Sequence, residues 1–240
     1  MPRRSSRASG AKPGRSADPA APDLPDGLIV ASLPEADLFD GAVHAGLQVD
    51  NLDLSEREAA GAELDQCRYR GVNLGQVRFY RTTIKDCEFS RCDLANLRAR
   101  ESSIRRVAMS GTRMTGLTWI TGTVRDLTLD GCRLDLGYFS ATKFSHVVFR
   151  NCRLDQVNFG DADLSDVRFE SCDLTGAQFS GASLADTRFS GCDLTGLVGV
   201  ASLRGATISA TDAMTLTGIF AEALGIKVAD DEAAEAAGSA

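Results

Sequence analysis

The residues of this chain that could do chemistry are two histidines, seven cysteines and a large set of aspartates. A thiolate next to an imidazole would make a nucleophile–base pair. Histidine and cysteine converging at short spacings would hold zinc. Neither pattern is present: His44 and His146 lie far apart in the chain, and no Cys or Ser nucleophile signature adjoins either. No glycine-rich loop is spaced to cradle a phosphate. Asp163, Asp166, Asp173, Asp186 and Asp193 are candidate surface carboxylates. On a flat, solvated wall they keep ordinary acidity, which excludes acid–base catalysis. The sequence predicts a non-enzymatic protein with no cofactor and no metal.

The spacing of the cysteines points to the elements that position everything else. Cys132, Cys152, Cys172 and Cys192 recur every twenty residues, and Cys67, Cys87 and Cys92 fall in the same five-residue frame. Two positions after each cysteine stands a larger apolar residue. From 49 to 194 such a residue returns at every fifth position, from Val49, Leu54 and Ala59 to Phe179, Leu184, Phe189 and Leu194. At 43% hydrophobic composition, thirty such positions in a row arise by chance on the order of once in 10¹¹. A period of five fits neither a helix nor a plain strand. It fits a chain that buries residues i and i−2 on a short extended segment, turns a corner, and repeats. Four segments make one square coil of twenty residues, each coil adding roughly 4.8 Å of height. The cysteines then point inward, as small polarizable core fillers rather than disulfide partners.

Units such as Ala162-Asp163-Leu164-Ser165-Asp166, Cys172-Asp173-Leu174-Thr175-Gly176 and Cys92-Asp93-Leu94-Ala95-Asn96 closely resemble the consensus of the pentapeptide-repeat family, over about two thirds of the chain. The resemblance implies an all-β solenoid, a right-handed quadrilateral β-helix, here followed by a C-terminal α-helix. It also implies candidate partners. The quinolone-resistance branch binds DNA gyrase or topoisomerase IV as acidic rods that mimic DNA, and dimerises through a C-terminal helix. The long coil, net acidity and terminal amphipathic helix of this sequence resemble that branch.

Five regions are expected. Residues 1–26, with Arg3, Arg4, Arg7, Lys12 and Arg15, read as a disordered tail and carry no secretory signal. Residues 27–46 read as a cap, with a strand at Leu28-Ile29-Val30 and a lead-in unit at Ala42 and His44. The coil spans 47–208, with a register change at Gly196-Leu197-Val198-Gly199. Residues 209–225 read as a helix with Ser209 as N-cap and Gly225 as its stop. Its stripe of Leu216, Ile219, Phe220 and Leu224 is the candidate dimerisation surface, a lid on the last coil being the other reading. Residues 226–240 read as a frayed acidic tail. The sole tryptophan, Trp119, is read as packed core, the alternative being an extruded binding residue. No apolar run reaches membrane-spanning length, and a cytoplasmic location is expected.

Charge is banded. Residues 27–65 hold nine acids and one base, 66–113 eleven bases and four acids, and 114–224 thirteen acids and eight bases. The net charge of −7 disfavours direct nucleic-acid binding. Two partner surfaces are therefore expected. One is acidic, Asp163, Asp166, Asp173, Asp186 and Asp193, with the first three on adjacent walls. The other is the basic belt around Arg98, Arg100, Arg105 and Arg106, suited to a scaffold with a protein partner.

Overall fold

A five-residue unit can repeat only if the chain turns sharply once per unit, and the turning residue shows how. In the computed structural model, which describes residues 17–228, every fifth residue from Asn51 to Gly196 has a φ near +50 to +75°. Nine of these corners are glycine and twenty-one are not. A left-handed non-glycine residue costs roughly 1–2 kcal/mol. The cost is offset because corner N–H groups reach the next coil. Asn51 N–H donates to the Arg70 carbonyl at 2.8 Å, Gln76 to Ala95 at 2.9 Å and Gln156 to Thr175 at 2.8 Å.

The four segments form four walls, named here by one central residue each: Leu164, Phe169, Leu174 and Phe179, in that order around the coil. The coils stack as parallel ladders at a register of twenty, for example Phe149↔Phe169 and Arg78↔Arg98. Strands Thr83–Ser90, Ser103–Ser110, Thr123–Asp130 and Lys143–Arg150 bend from the Leu164 wall onto the Phe169 wall. Glu58–Ala60, Arg78–Tyr80, Arg98–Arg100 and Thr118–Ile120 pair on the Phe179 wall. The result is a quadrilateral β-helix of about nine turns, roughly 43 Å tall at the spacing of paired strands.

The core is the column between the walls. Phe149, Phe169 and Phe189 stack at 4.9 and 5.0 Å, and Phe139, Phe159 and Phe179 at 5.3 and 5.4 Å. The two stacks meet edge to face. All seven cysteines are free and buried. Six of the thiols, like the Thr82, Thr142 and Thr187 hydroxyls, donate to backbone carbonyls of the coil below, and Cys67 donates to the Asp65 carbonyl of its own coil. An inward polar atom is thereby satisfied without a second side chain. Trp119 is packed in the column at 3% exposure. Ala99 lies below it in the ladder, and a Cβ on Gly122 would meet its Nε1 at 2.3 Å.

The lower end is closed by the lead-in. His44 is buried under Leu64 in the ladder, with its ring 6.2 Å from that of Tyr69 on the neighbouring wall. Its Nε2–H donates to the Asp37 carbonyl at 3.1 Å, so Nδ1 accepts from the Tyr69 hydroxyl at 2.9 Å. Ile29–Ala31 pairs with Leu47–Asp50.

Three boundaries differ from the sequence reading. Residues 17–26 were expected in the disordered tail, yet they lie against the rod. Asp18 pairs with Arg150 at 3.0 Å and with Arg168, Ala20 N–H donates to Asp126 at 3.4 Å, and Asp23 N–H to Asp86 at 3.1 Å. A single acid at the right point of an otherwise featureless segment is enough to dock it. The rest of that tail, 1–16, lies outside the described residues. The register slip comes later than expected: Gln178↔Val198 is still in frame, while Phe189↔Ile208 is short by one. Gly199 and the 3₁₀ turn Val200–Leu203 absorb it. The expected single helix is two short ones, α1 (Ala210–Thr215) and α2 (Thr217–Ala223). Ser209 does cap α1, accepting from Asp212 N–H at 3.1 Å. The Asp212 carboxylate turns away to accept from Cys192 N–H at 3.0 Å, giving the last coil the acceptor that another coil would have supplied. Of the expected acidic tail, residues 229–240 lie outside the described residues.

Candidate partner-binding walls

Within each unit the residues flanking the central one face outward, and residues twenty apart share a column. That geometry separates the candidate acids. Asp163 stands on the Leu164 wall between Lys143 and Ser183. Asp166 and Asp186 occupy the neighbouring corner, both left-handed, at φ 57 and 58°. Asp173 and Asp193 form a ladder on the Leu174 wall, which is opposite the Leu164 wall. Asp163 and Asp173 were expected on adjacent walls. They are two corners apart, because ten residues are half a coil.

The upper carboxylates are held in local turns. Asp163 accepts from the Ser165 N–H and hydroxyl at 3.2 and 2.5 Å, and Asp173 likewise from Thr175 at 3.1 and 2.8 Å. Asp193 accepts from Thr195 N–H at 2.9 Å. Hydrogen bonds from Thr195 keep its carboxyl below the usual range despite slight burial. Asp166 and Asp126 flank His146, whose Nε2 lies 3.0 Å from Asp166 and whose Nδ1 lies 3.8 Å from Asp126.

The basic belt is also divided. Arg98 and Arg100 point out from the Phe179 wall, Arg105 from the Leu164 wall, and Arg106 sits on the Leu164–Phe169 corner. Arg106 is engaged: it grips Asp86 at 2.6 and 2.5 Å. Burial pushes the Asp86 carboxyl up, but Arg106, the Asp23 N–H and Lys85 together hold it below the usual range. Arg100 lies 3.6 Å from Glu101. Only Arg98 and Arg105 of the four lack an ion-pair partner among the described residues.

Two basic features escaped the sequence reading. Arg113, Arg133 and Arg153 form an unbroken column on the Leu174 wall, directly below Asp173 and Asp193. On the opposite wall Lys85, Arg105 and Arg125 form a ladder beside Lys143. Both were detectable as like charges recurring at twenty, a spacing that band-wise charge counts average away.

At the upper end the dimerisation stripe splits. Leu216 is wholly buried, closing the column, and Ile219 packs against the same cluster. Phe220 and Leu224 are 39% and 75% exposed. Leu216 therefore belongs to a lid, because the break after Thr215 turns it down onto the last coil.

Residues 130–198 match the family described as pentapeptide repeat region. No protein of curated function matches the sequence. Similar solved structures include full-length QnrB1, a plasmid-mediated fluoroquinolone resistance protein, at 20% identity and TM-score 0.38, covering 83% of this chain and all of that one. Another is HetL, involved in heterocyst differentiation regulation, from the cyanobacterium Nostoc sp. strain PCC 7120. It is 17% identical with TM-score 0.32, over 70% of this chain and 88% of HetL. Rfr23 from the cyanobacterium Cyanothece 51142 is 16% identical with TM-score 0.22, over 64% and 92%. The family match covers residues 130–198, and the same five-residue frame runs unbroken on both sides of it, from 49 to 194, so the chain carries a pentapeptide repeat region.

Proposed function

We propose that this protein is a non-enzymatic binding rod that modulates DNA gyrase or topoisomerase IV by imitating DNA, and so protects the enzyme from inhibitors. The observation that supports the reading is the pair of acidic columns on the upper coils. Asp166 with Asp186, and Asp173 with Asp193, each stack one coil apart, on a corner and on a wall separated by the Phe169 wall. Carboxylates roughly 4.8 Å apart along an axis, on two sides of a narrow rod of net charge −7, present the kind of field a duplex presents. Exposed Phe220 and Leu224 support a homodimer joined at this end, which would place the acidic coils of two copies near the centre. A cytoplasmic location accords with that partner.

The test is gyrase supercoiling, with and without a fluoroquinolone, at micromolar protein and at two salt concentrations. Wild type should inhibit or protect, less so at high salt. Reversal of Asp166, Asp173, Asp186 and Asp193 to Lys should abolish the effect, and reversal of Arg98 and Arg105 to Glu should not. A second reading, a scaffold with a different protein partner, is favoured by the Arg113–Arg133–Arg153 column, which interrupts the acidic surface. Loss of partner binding on reversal of Arg113, Arg133 and Arg153 to Glu, with the aspartate variant unaffected, would establish that reading and end the first.

A further inference from the structure

The Leu164 wall carries a trough of about 570 Å³ between coils, lined by Lys85, Arg105, Arg125 and Lys143, with the hydroxyls of Thr83, Ser103 and Thr123 beside them. Its volume falls within the range of small-molecule sites. Its chemistry is one-sided: four cations face it, and Asp163 at the upper edge is the one carboxylate in the lining. We propose that this trough binds a small polyanion of the oligophosphate class, lying along the rod axis.

Three observations carry this. The ladder register is fixed by backbone pairing, Lys85↔Arg105↔Arg125, so three cations are held one above another, roughly 4.8 Å apart at the Cα level. Like charges at that spacing repel unless something neutralises them, and neutralisation here is incomplete. Lys85 reaches Asp65 at 3.2 Å and Asp86 at 3.5 Å, and Arg125 reaches Asp126 at 3.3 Å. Arg105 in the middle and Lys143 above have no ion-pair partner among the described residues. The third observation is the neighbouring column. Ser103 and Thr83 hydroxyls are 3.4 Å apart, too long to satisfy each other well, which leaves O–H donors facing the same space as the cations.

Phosphoryl groups suit this lining. A guanidinium offers a rigid fork of N–H donors that matches phosphate oxygens two at a time, and an ammonium adds a point charge. A chain of linked phosphates can engage Arg105 and Lys143 together and draw on Arg125 and the hydroxyls between them. A monoanionic carboxylate reaches fewer of these groups. The proposal is independent of the topoisomerase reading, which concerns other columns of the rod.

The test is isothermal titration calorimetry of the full chain with inorganic tripolyphosphate, at low and at moderate salt. Wild type should bind, with affinity falling as salt rises. Arg105→Ala with Lys143→Ala should weaken binding by about tenfold or more, since each removes a charge-assisted contact. Arg113→Ala with Arg133→Ala removes equal charge from the opposite wall and should leave the affinity within about twofold, surface charges that far apart being screened. Absence of binding by wild type would overturn the proposal. So would equal loss in both double variants, which would mean that the anion responds to the overall field rather than to the trough. Far-ultraviolet circular dichroism on each variant confirms that the ladder is intact. If the first pair alters the fold, Arg105→Gln, which keeps the first three side-chain carbons and a polar end without the charge, replaces it and must show the same selective weakening.

Discussion

Phe159→Ala is the substitution whose cost the column determines most directly. The ring is wholly buried. It stacks on Phe139 at 5.3 Å and Phe179 at 5.4 Å, and meets Phe144, Phe149 and Phe169 edge to face at 5.9, 6.2 and 5.9 Å. Truncating it removes a ring from the point where two aromatic stacks touch. The backbone on either side is pinned: Phe159 N–H donates to Gln178 at 2.8 Å, and Asn158 N–H to Gly137 at 2.8 Å. The coils therefore cannot close over the gap, and the cost belongs at the upper end of the usual range, about 4–5 kcal/mol. For a chain of this size that is a fall of roughly 10–15 °C in melting temperature. Because each coil touches only its neighbours, the loss should concentrate locally. Hydrogen exchange should quicken for amides of residues 138–180 more than for those of 58–90. Tyr138→Ala, one coil below on the outward side of the same wall and 43% exposed, is the control and should cost within about 0.5 kcal/mol. A cost for Phe159→Ala below about 1.5 kcal/mol would refute the reasoning. It would mean that the column relaxes and that the ladders do not hold it open.

Other expectations follow from the ends of the rod. Burial depresses the His44 pKa below its ordinary 6.5, so the folded state prefers the neutral ring while the unfolded chain takes up a proton. The associated stability is present above pH 6.5 and is lost as pH falls through 6.5 to the folded value. Melting temperatures at pH 7.5 and 5.5 should show that drop in wild type, and a smaller one in His44→Gln. Gly199→Ala puts a Cβ 2.5 Å from the Ser180 nitrogen at a φ of +84°. It should cost about 2 kcal/mol or more, seen as faster proteolysis of residues 200–228 with the lower coils unaffected. Leu216→Asp should lower stability by about 2–5 kcal/mol by unsealing the column. Leu224→Asp, on the exposed side, should leave stability alone and halve the mass in light scattering; a monomeric mass in both proteins would remove the dimer.

The five-residue frame was legible because it is a local rule applied thirty times, with each unit burying its own two residues. Spacing alone therefore placed Cys132, Phe159 and Leu174 inside. The left-handed corners were legible only in part. Asn, Asp and Gly at Asn51, Asp166 and Gly181 announce such a φ. Leu136, Thr121 and Ala141 do not, and they adopt it because the stacked coils on both sides leave no other path.

What only the tertiary structure decided is which outward residues meet. Asp163 and Asp173 belong to one acidic band in the sequence and to opposite walls in the rod. Arg105 and Arg106 are consecutive, yet one has no ion-pair partner among the described residues and the other is locked to Asp86. The docking of 17–26 by Asp18 on Arg150 and Arg168 had no signal at all, since that segment lies outside the repeat. The physical reason is the same throughout. Inward positions are specified by burial, which every unit repeats within five residues, whereas outward neighbours are set by stacking at twenty and by chain returning from far away.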